Sequence, residues 1–430
     1  DVNGKRIRKQ DYTFAIENDE LIVTDSENNL FTYNPCNEES RRMQETLFRE
    51  KKLIIENCLF GVDINPNSVK ICRLRLWIEL LKNAYYTQSS NYQYLETLPN
   101  IDINIKCGNS LVYRFNLEDS IKSVLRETGI TIKQYKNGVA KYKNAQDKAE
   151  KWELDSMIAE IKSKLTTEIG AKDPKRLRLN KRRAELVNLL APQLFEMSKK
   201  EQKDWQKRVD AVKREIAELE SYFEEINSNK IYLGAFEWRI EFPEVLDDDG
   251  NFIGFDLIIG NPPYMRIQEI RANDSKFADY LSLSGKYKST IGSFDIYVAF
   301  VELSRMILTI GGSVALLMPI KWTNAAFGKG LRSILTQDCE DKSELRLSRV
   351  VDFGAYPIFE VSTYVGIQYF QKGTSFVQYV KYMENGLYNH PNEFLLHLNT
   401  DSFSNVNVLA LGSNTWVFAE DAVAKILEQL

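Results

Sequence analysis

The chain contains few of the residues that build metal sites, disulfide frameworks and membrane spans. Its 430 residues include two histidines, His390 and His397, and five cysteines without Cys-x-x-Cys spacing, which are Cys36, Cys58, Cys72, Cys107 and Cys339. This scarcity argues against a zinc centre and a Ser-His-Asp mechanism, so no metal is expected. No signal peptide is visible, and no apolar run approaches the roughly 20 residues of a membrane helix. We therefore expect a cytoplasmic protein without a membrane partner.

The chain also lacks a large net charge, which is formally −4. A small negative charge disfavours a nucleic-acid partner only weakly, because the distribution of charge steers a polyanion more than its sum does. That distribution is uneven, since the segment from Lys172 to Arg183 holds seven basic residues and one acid, Asp173. The segment fits either a solvated helix face or a patch that contacts phosphates.

The most informative stretch that is present is Asn261-Pro262-Pro263-Tyr264, which directly follows the apolar run from Phe255 to Gly260. The amide oxygen of Asn261 and the backbone carbonyl of Pro262 are two acceptors, and consecutive prolines stiffen the loop that carries them. Such a pair can hold both N–H groups of a planar amine out of plane, which frees its lone pair to attack a methyl donor. Tyr264 adds an aromatic face for stacking a base. The stretch therefore predicts methyl transfer to a planar amino group.

An ordinary turn is the alternative reading of this tetrapeptide, because Asn and Pro are common turn residues. The position favours a functional role. The tetrapeptide follows a predicted strand, and ligands bind at the carboxyl ends of strands in open α/β sheets.

The hydrophobic pattern predicts an α/β fold in which strands alternate with helices around a twisted, largely parallel sheet. With 43% hydrophobic and 27% charged residues, the chain is typical of globular proteins of about two to four domains. A helix is predicted from Asn65-Pro66 to about Lys82, and another from Phe294 to Leu308 that stops at Gly311-Gly312. Strands are predicted at residues 58–63, 101–106, 255–260, 313–318, 349–353 and 364–369.

The region between about Asn116 and Lys230 has a different, Lys/Glu-rich helical character. Its apolar residues recur at helical spacing at Met157, Ile161, Leu165, Val209, Val212, Ile216, Leu219 and Phe223. We interpret it as a long helical insertion, either a packing arm without chemistry or a segment that touches DNA.

In their order, Asp63, Gly108-Asn109 and the tetrapeptide at Asn261 resemble the adenine-N6 DNA methyltransferases of the gamma motif arrangement. The stretch from Gly61 to Pro66 and the helix after it are most similar to the methyltransferases of type IIG restriction-modification enzymes and related phage-defence systems. The resemblance covers about residues 40–115 and 230–372. It implies a Rossmann-like S-adenosylmethionine-dependent methyltransferase sheet.

The resemblance also implies which residues bind S-adenosylmethionine. Asp63 corresponds to the acid that binds the ribose hydroxyls, and Ile64 to a residue that packs on the cofactor adenine. Asn109 stands where the commoner residue is Asp, and its amide oxygen would accept a bond from the adenine amine. Ser110 replaces an aromatic of some relatives, and Asn261 lies beside the methyl group.

The same resemblance implies a pocket for an extruded adenine. The stretch from Gly292 to Tyr297 matches the helix after the catalytic loop, and the stretch from Lys321 to Gly328 matches a loop whose aromatic residue sandwiches the base. Phe327 is the candidate for that residue. A buried core phenylalanine is the alternative reading.

Relatives carry a Gly-rich cofactor loop before the acid at the position of Asp63, and no such sequence occurs between Asp1 and Asn57. We therefore expect a fragment of a longer parent that lost its first strand and this loop, with a nuclease domain possible upstream in that parent. We expect five parts: a segment of truncated methyltransferase domain at residues 1–57, the first part of the methyltransferase core at 58–115, the helical insertion at 116–230, the core with its catalytic loop at 231–372, and the start of a target-recognition domain at 373–430.

The expected function is methylation of adenine N6 in double-stranded DNA by base flipping, as the modification part of a type IIG restriction-modification enzyme. Two alternatives also transfer a methyl group. One is a phage-defence adenine methyltransferase without a nuclease, and the other is a protein glutamine N5-methyltransferase, whose planar amide nitrogen is a similarly weak nucleophile. A third is that this chain itself is only a DNA-binding or structural module without activity.

Overall fold

The computed structural model describes most of the chain and divides it into two compact units. The first unit holds residues 1–110 and 124–171, and the second holds residues 111–123 and 172–430. The described residues are 12–17, 20–117, 122–145, 147–171, 174–190, 199–228, 232, 234–336, 345–359, 364–372, 377–382, 390–406, 412–416 and 418.

Helices and strands alternate along the chain, as expected for the α/β class. The helices are α1 (Glu38–Cys58), α2 (Pro66–Leu81), α3 (Lys122–Thr128), α4 (Ile132–Asn144), α5 (Lys148–Ala171), α6 (Pro174–Leu190), α7 (Lys199–Ser228), α8 (Trp238–Glu241), α9 (Ile267–Asn273), α10 (Ser275–Leu283), α11 (Tyr297–Ile307), α12 (Lys329–Thr336) and α13 (Pro391–Leu396). The strands are β1 (Tyr12–Glu17), β2 (Glu20–Asp25), β3 (Gly61–Asp63), β4 (Ile105–Cys107), β5 (Phe255–Gly260), β6 (Leu308–Pro319), β7 (Leu345–Asp352), β8 (Val365–Lys372), β9 (Val377–Lys381) and β10 (Ser404–Val406).

In the first unit, β3 and β4 form a parallel pair joined by α2. The predicted start of α2 is confirmed, because Asn65 caps the helix by accepting a bond from the Asn67 amide and Pro66 occupies the first turn. Apolar residues of α1, α2 and the following loops form the core beside this pair, namely Phe48, Ile55, Leu80, Tyr85 and Ile101.

The two strands of this pair are shorter than predicted. Cys58 is the last residue of α1, and β3 begins only at Gly61, with half-buried or exposed residues where a buried strand was expected. Residues 101–103 form a 3-10 turn, so β4 begins at Ile105. The buried Asn104 side chain explains both differences, since its amide donates to the carbonyls of the last turn of α1 and holds the turn against that helix.

In the second unit, six strands form one sheet in the order β10-β9-β7-β8-β6-β5. The pairs β5–β6 and β7–β9 are parallel, whereas β6–β8, β7–β8 and β9–β10 are antiparallel. The prediction of a largely parallel sheet is therefore wrong for this sheet, which is mixed. The cause is β8, which returns antiparallel and lies between β6 and β7.

The strand β6 also begins earlier than predicted. The helix α11 ends at Ile307, and β6 runs through Gly311-Gly312, where a helix stop was expected. Gly311 has φ +82°, a left-handed conformation that suits glycine. A Cβ at Gly312 would lie 3.0 Å from the Asp256 carbonyl oxygen, so this glycine lets β6 approach β5.

The helices α6 and α7 pack on each other through Leu179, Val212 and Ile216, with further apolar residues beside them. The basic segment faces α7: Arg182 contacts Glu215 at 2.8 Å and Arg183 contacts Glu220 at 2.6 Å. These two arginines are thus paired within the hairpin. Lys172, Asp173 and the side chain of Phe223 lie outside the described residues. Within the described ranges, no helix combines the length and the apolar character needed to cross a bilayer.

Candidate functional site

The tetrapeptide lies at the carboxyl end of β5, an edge strand that pairs with β6. Asn261 is exposed, Pro262 is buried, Pro263 is exposed and Tyr264 is half-buried. Burial of Pro262 anchors the loop beneath the exposed asparagine. The predicted acceptor Asn261 is therefore presented to solvent at the end of a strand and is not part of a packed core.

The side chain of Tyr264 ties this loop to the sheet. Its hydroxyl lies 2.8 Å from the side-chain amide of Asn261 and 2.9 Å from the backbone carbonyl oxygen of Leu317 on β6. Burial raises the pKa of Tyr264 to about 12, so the hydroxyl keeps its proton near neutral pH.

A row of aromatic rings connects the two residues predicted to contact a base. The Tyr264 ring meets the buried Tyr297 ring edge-on at 6.5 Å, and Tyr297 in turn meets Phe327 at 6.5 Å. The Phe359 ring also contacts Tyr264, with ring centroids 6.1 Å apart. Phe327 is half-buried, which leaves its base-contacting and core readings both open. The structure thus brings Tyr264 and Phe327 into one aromatic cluster.

The cluster includes polar groups that sequence reasoning did not single out. Tyr297, in the first turn of α11, is buried, and its hydroxyl interacts with the carboxyl of Asp295. Asp295 lies just before the helix. Burial raises the pKa of its carboxyl, and the hydrogen bond with Tyr297 and the attraction of Arg266 and Lys321 oppose this rise. In the sequence, the stretch that contains both residues matched only a helix. The available signal for an interacting pair was an acid two residues before a tyrosine.

A buried arginine fixes the loop that carries Phe327. Arg332 is 3% exposed, and its Nη1 donates to the backbone carbonyls of Trp322 and Ala325, the latter at 2.9 Å. Burial without a carboxylate partner lowers the pKa of Arg332. A Cβ at Gly328 would lie 1.7 Å from the Trp322 carbonyl oxygen, so the chain closes tightly on itself here. Nothing in the sequence pattern indicated this role for Arg332.

Four of the five predicted cofactor residues, all except Asn261, belong to the first unit and lie at the carboxyl ends of β3 and β4. Asp63 is exposed, and its carboxylate accepts a bond from the Asn65 amide at 2.7 Å. The backbone carbonyl of Asp63 accepts a bond from Gly108 at 3.0 Å, which joins the ends of both strands. Ile64 is 68% exposed, and Asn109 and Ser110 are half-buried.

These residues belong to the first unit, whereas Asn261 to Tyr264 and Phe327 belong to the second. Among the described residues, no group of three or more His, Cys, Asp or Glu side chains is placed to hold a metal ion.

A family model described as Eco57I restriction-modification methylase matches residues 57–359, well over half of the chain. The Methanocaldococcus jannaschii protein RM.MjaORFECS2P, named as a type II restriction enzyme and methyltransferase, is 26% identical over 68% of this chain and 24% of its own length. The type II restriction enzyme and methyltransferase RM.Eco57I of Escherichia coli is 33% identical over 25% of this chain and 10% of its own length. The chain thus spans about a quarter or less of these relatives.

Among solved structures, the type IIG restriction endonuclease BpuSI overlaps 33% of this chain and 18% of its own, with 14% identity and a TM-score of 0.22. An overlap this small carries no argument about function.

Proposed function

The chain belongs to the Eco57I restriction-modification methylase family, and on that premise we propose that its full-length protein methylates the N6 amine of adenine in double-stranded DNA. The exposed Asn261 amide, held at the end of β5 beside the buried Pro262 and the anchored Tyr264, is the observation that carries this proposal. We propose that this activity is the modification half of a restriction-modification enzyme.

The oxygens of Asn261 and Pro262 perform the central task. The side-chain oxygen of Asn261 accepts one N–H of the adenine amine and the carbonyl oxygen of Pro262 accepts the other, which draws both N–H groups out of the ring plane and takes the nitrogen lone pair out of conjugation with the ring. Both oxygens would stabilise the positive charge that grows on the nitrogen as its bond to the methyl carbon forms and the donor's bond from that carbon to sulfur breaks. The methylated amine would then lose one of its two protons to water. Because Pro262 has no N–H, no donor competes at this position.

The methyl donor proposed is S-adenosylmethionine, which supplies an electrophilic carbon bound to a sulfonium. The residues of the first unit fit its adenosine part. One oxygen of Asp63 is occupied by the Asn65 amide, and a carboxylate has further lone pairs for a ribose diol. The exposed apolar side chain of Ile64 offers a surface to a purine ring, and Asn109 and Ser110 follow β4 on the adjoining strand.

The proposed DNA partner would present its adenine extruded from the duplex. Tyr264 and Phe327, linked through Tyr297, would form the walls of the pocket, with a stacking contact of about 1 to 3 kcal/mol for each base.

The test is transfer of a radiolabelled methyl group from S-adenosylmethionine by the full-length protein, offered both duplex DNA and a protein extract. We expect label in DNA, recovered as N6-methyladenine after digestion. Label recovered as methylated glutamine in protein would replace the proposal with that of a protein methyltransferase. Transfer to cytosine, or none to either acceptor, would refute it.

A further inference from the structure

The Tyr264 hydroxyl has two polar neighbours but only one proton to donate. It lies 2.9 Å from the Leu317 carbonyl oxygen and 2.8 Å from the amide end of the Asn261 side chain. A backbone carbonyl can only accept, so the proton of Tyr264 must point to Leu317. The contact with Asn261 is then favourable only if the amide nitrogen, which has the same shape as the oxygen, faces the hydroxyl and donates to it.

We propose that Tyr264 is a positioning residue that selects one orientation of the Asn261 amide. In this arrangement Nδ2 of Asn261 donates to the tyrosine hydroxyl, the hydroxyl donates to Leu317, and Oδ1 of Asn261 points away as a free acceptor. The inference rests on the proposed function, because a free acceptor is what the adenine amine requires. In the opposite orientation the amide of Asn261 would direct its own N–H groups at the N–H groups of the adenine amine, and two donors cannot form a hydrogen bond.

Three features of the structure support this arrangement. Leu317 lies in β6, which is paired on both sides, so the carbonyl that takes the proton is fixed. The ring of Tyr264 packs on the rings of Tyr297 and Phe359. Among the described residues the side chain of Asn261 has no hydrogen-bond partner other than Tyr264, so nothing opposes the orientation that Tyr264 selects.

The substitution that tests the inference is Tyr264→Phe in the full-length protein, because it removes the hydroxyl and keeps the ring. The loss of one hydrogen bond that orients an amide should lower kcat about 5-fold, the factor that corresponds to about 1 kcal/mol. The KM for DNA and the fluorescence of 2-aminopurine at the target base should stay unchanged, since the stacking face remains. Tyr356→Phe is the matched control, because Tyr356 belongs to the same apolar cluster and packs on Tyr382. It should leave kcat unchanged.

Asn261→Asp separates orientation from a merely structural effect. A carboxylate presents two equivalent acceptor oxygens, so it has no orientation to select. On this background Tyr264→Phe should change kcat by less than about 2-fold. An equal loss on both backgrounds, or no loss on the native one, would overturn the inference while leaving the proposed methyl transfer intact.

A second measurement is independent of activity. With asparagine side chains selectively labelled with nitrogen-15, the Asn261 amide resonances should move on Tyr264→Phe and stay in place on Tyr356→Phe. Unmoved resonances would refute the hydrogen bond from Asn261 to Tyr264. If the native protein methylates no DNA, the proposed function fails, and this measurement still tests the hydrogen bond between Asn261 and Tyr264.

Discussion

The loop after β5 and the loop after β6 carry the two aromatic residues proposed to hold the base, but they are made rigid in different ways. The first is stiffened by its own Pro262-Pro263 pair and by one tyrosine bond to β6. The second, from Lys321 to Gly328, depends on the buried Arg332, which belongs to the following helix. A loop restrained by its own covalent structure tolerates distant changes, whereas a loop restrained by one buried cation depends on that residue.

The largest effect is expected in the first loop. Replacing Asn261 by Ala in the full-length protein should lower kcat for DNA methylation by about 10² to 10³-fold, because a transition-state acceptor is lost. DNA affinity, measured by fluorescence anisotropy, should hardly change. Asn273→Ala, an exposed asparagine at the end of α9, is the control and should retain full activity. Undiminished methylation by Asn261→Ala would contradict the role given to this side chain.

The second loop should be broken by Arg332→Met. Removing the guanidinium leaves the buried carbonyl of Trp322 without its donor, at a cost of about 1 to 3 kcal/mol, and also removes the bond to the Ala325 carbonyl, which keeps the Gly328 N–H. The free energy of unfolding from urea titration measures this loss. Arg271→Met removes an exposed ion pair with Asp279 and should cost less than about 1 kcal/mol. Equal losses in the two variants would show that Arg332 does not restrain the loop.

Phe327→Leu separates the two readings of Phe327. Leucine retains most of the apolar contact with Tyr297 but has no aromatic face for a base. If Phe327 stacks on adenine, kcat/KM should fall by a factor that corresponds to about 1 to 3 kcal/mol. The free energy of unfolding should change by less than about 1.5 kcal/mol. A loss of stability with unchanged kcat/KM would instead favour the core reading.

The smallest effect is expected far from both loops, at Arg183→Gln in the α6–α7 hairpin. Its partner Glu220 and Arg183 itself are both about half exposed, so the pair should contribute less than about 0.5 kcal/mol to stability. DNA affinity should be measured against salt concentration. If the DNA affinity of the variant falls less steeply with salt, by the amount expected for one lost phosphate contact, the interpretation of this segment as a DNA-binding patch would be supported.

The family prediction is confirmed, and it came from residues whose function depends on local sequence. Asn65-Pro66 specifies a helix start and Asn261 to Tyr264 a rigid turn, so both are visible within a few residues. The α/β class is confirmed for the same reason, since strands and helices have different apolar periods. Adenine specificity, the domain bounds and the roles of the individual site residues stay predictions.

What the sequence did not predict depends on contacts between distant residues. Arg332 looks like any helical arginine until Trp322 and Ala325 surround it. The two glycines at 311 and 312 suggested a helix stop, but pairing of β6 with β5 decides their conformation. Likewise, Arg182 and Arg183 appeared as excess charge because Glu215 and Glu220 lie more than 30 residues further along the chain.

The position of β8 between β6 and β7 has a consequence for biosynthesis. Because β8 lies between β6 and β7, one edge of β6 stays open until residues 365–372 have left the ribosome. A nascent chain that ends before this strand therefore exposes a long apolar β6 edge, which invites pairing with other chains. The sheet is therefore completed only once β8 has been synthesised and has paired with both of its neighbours.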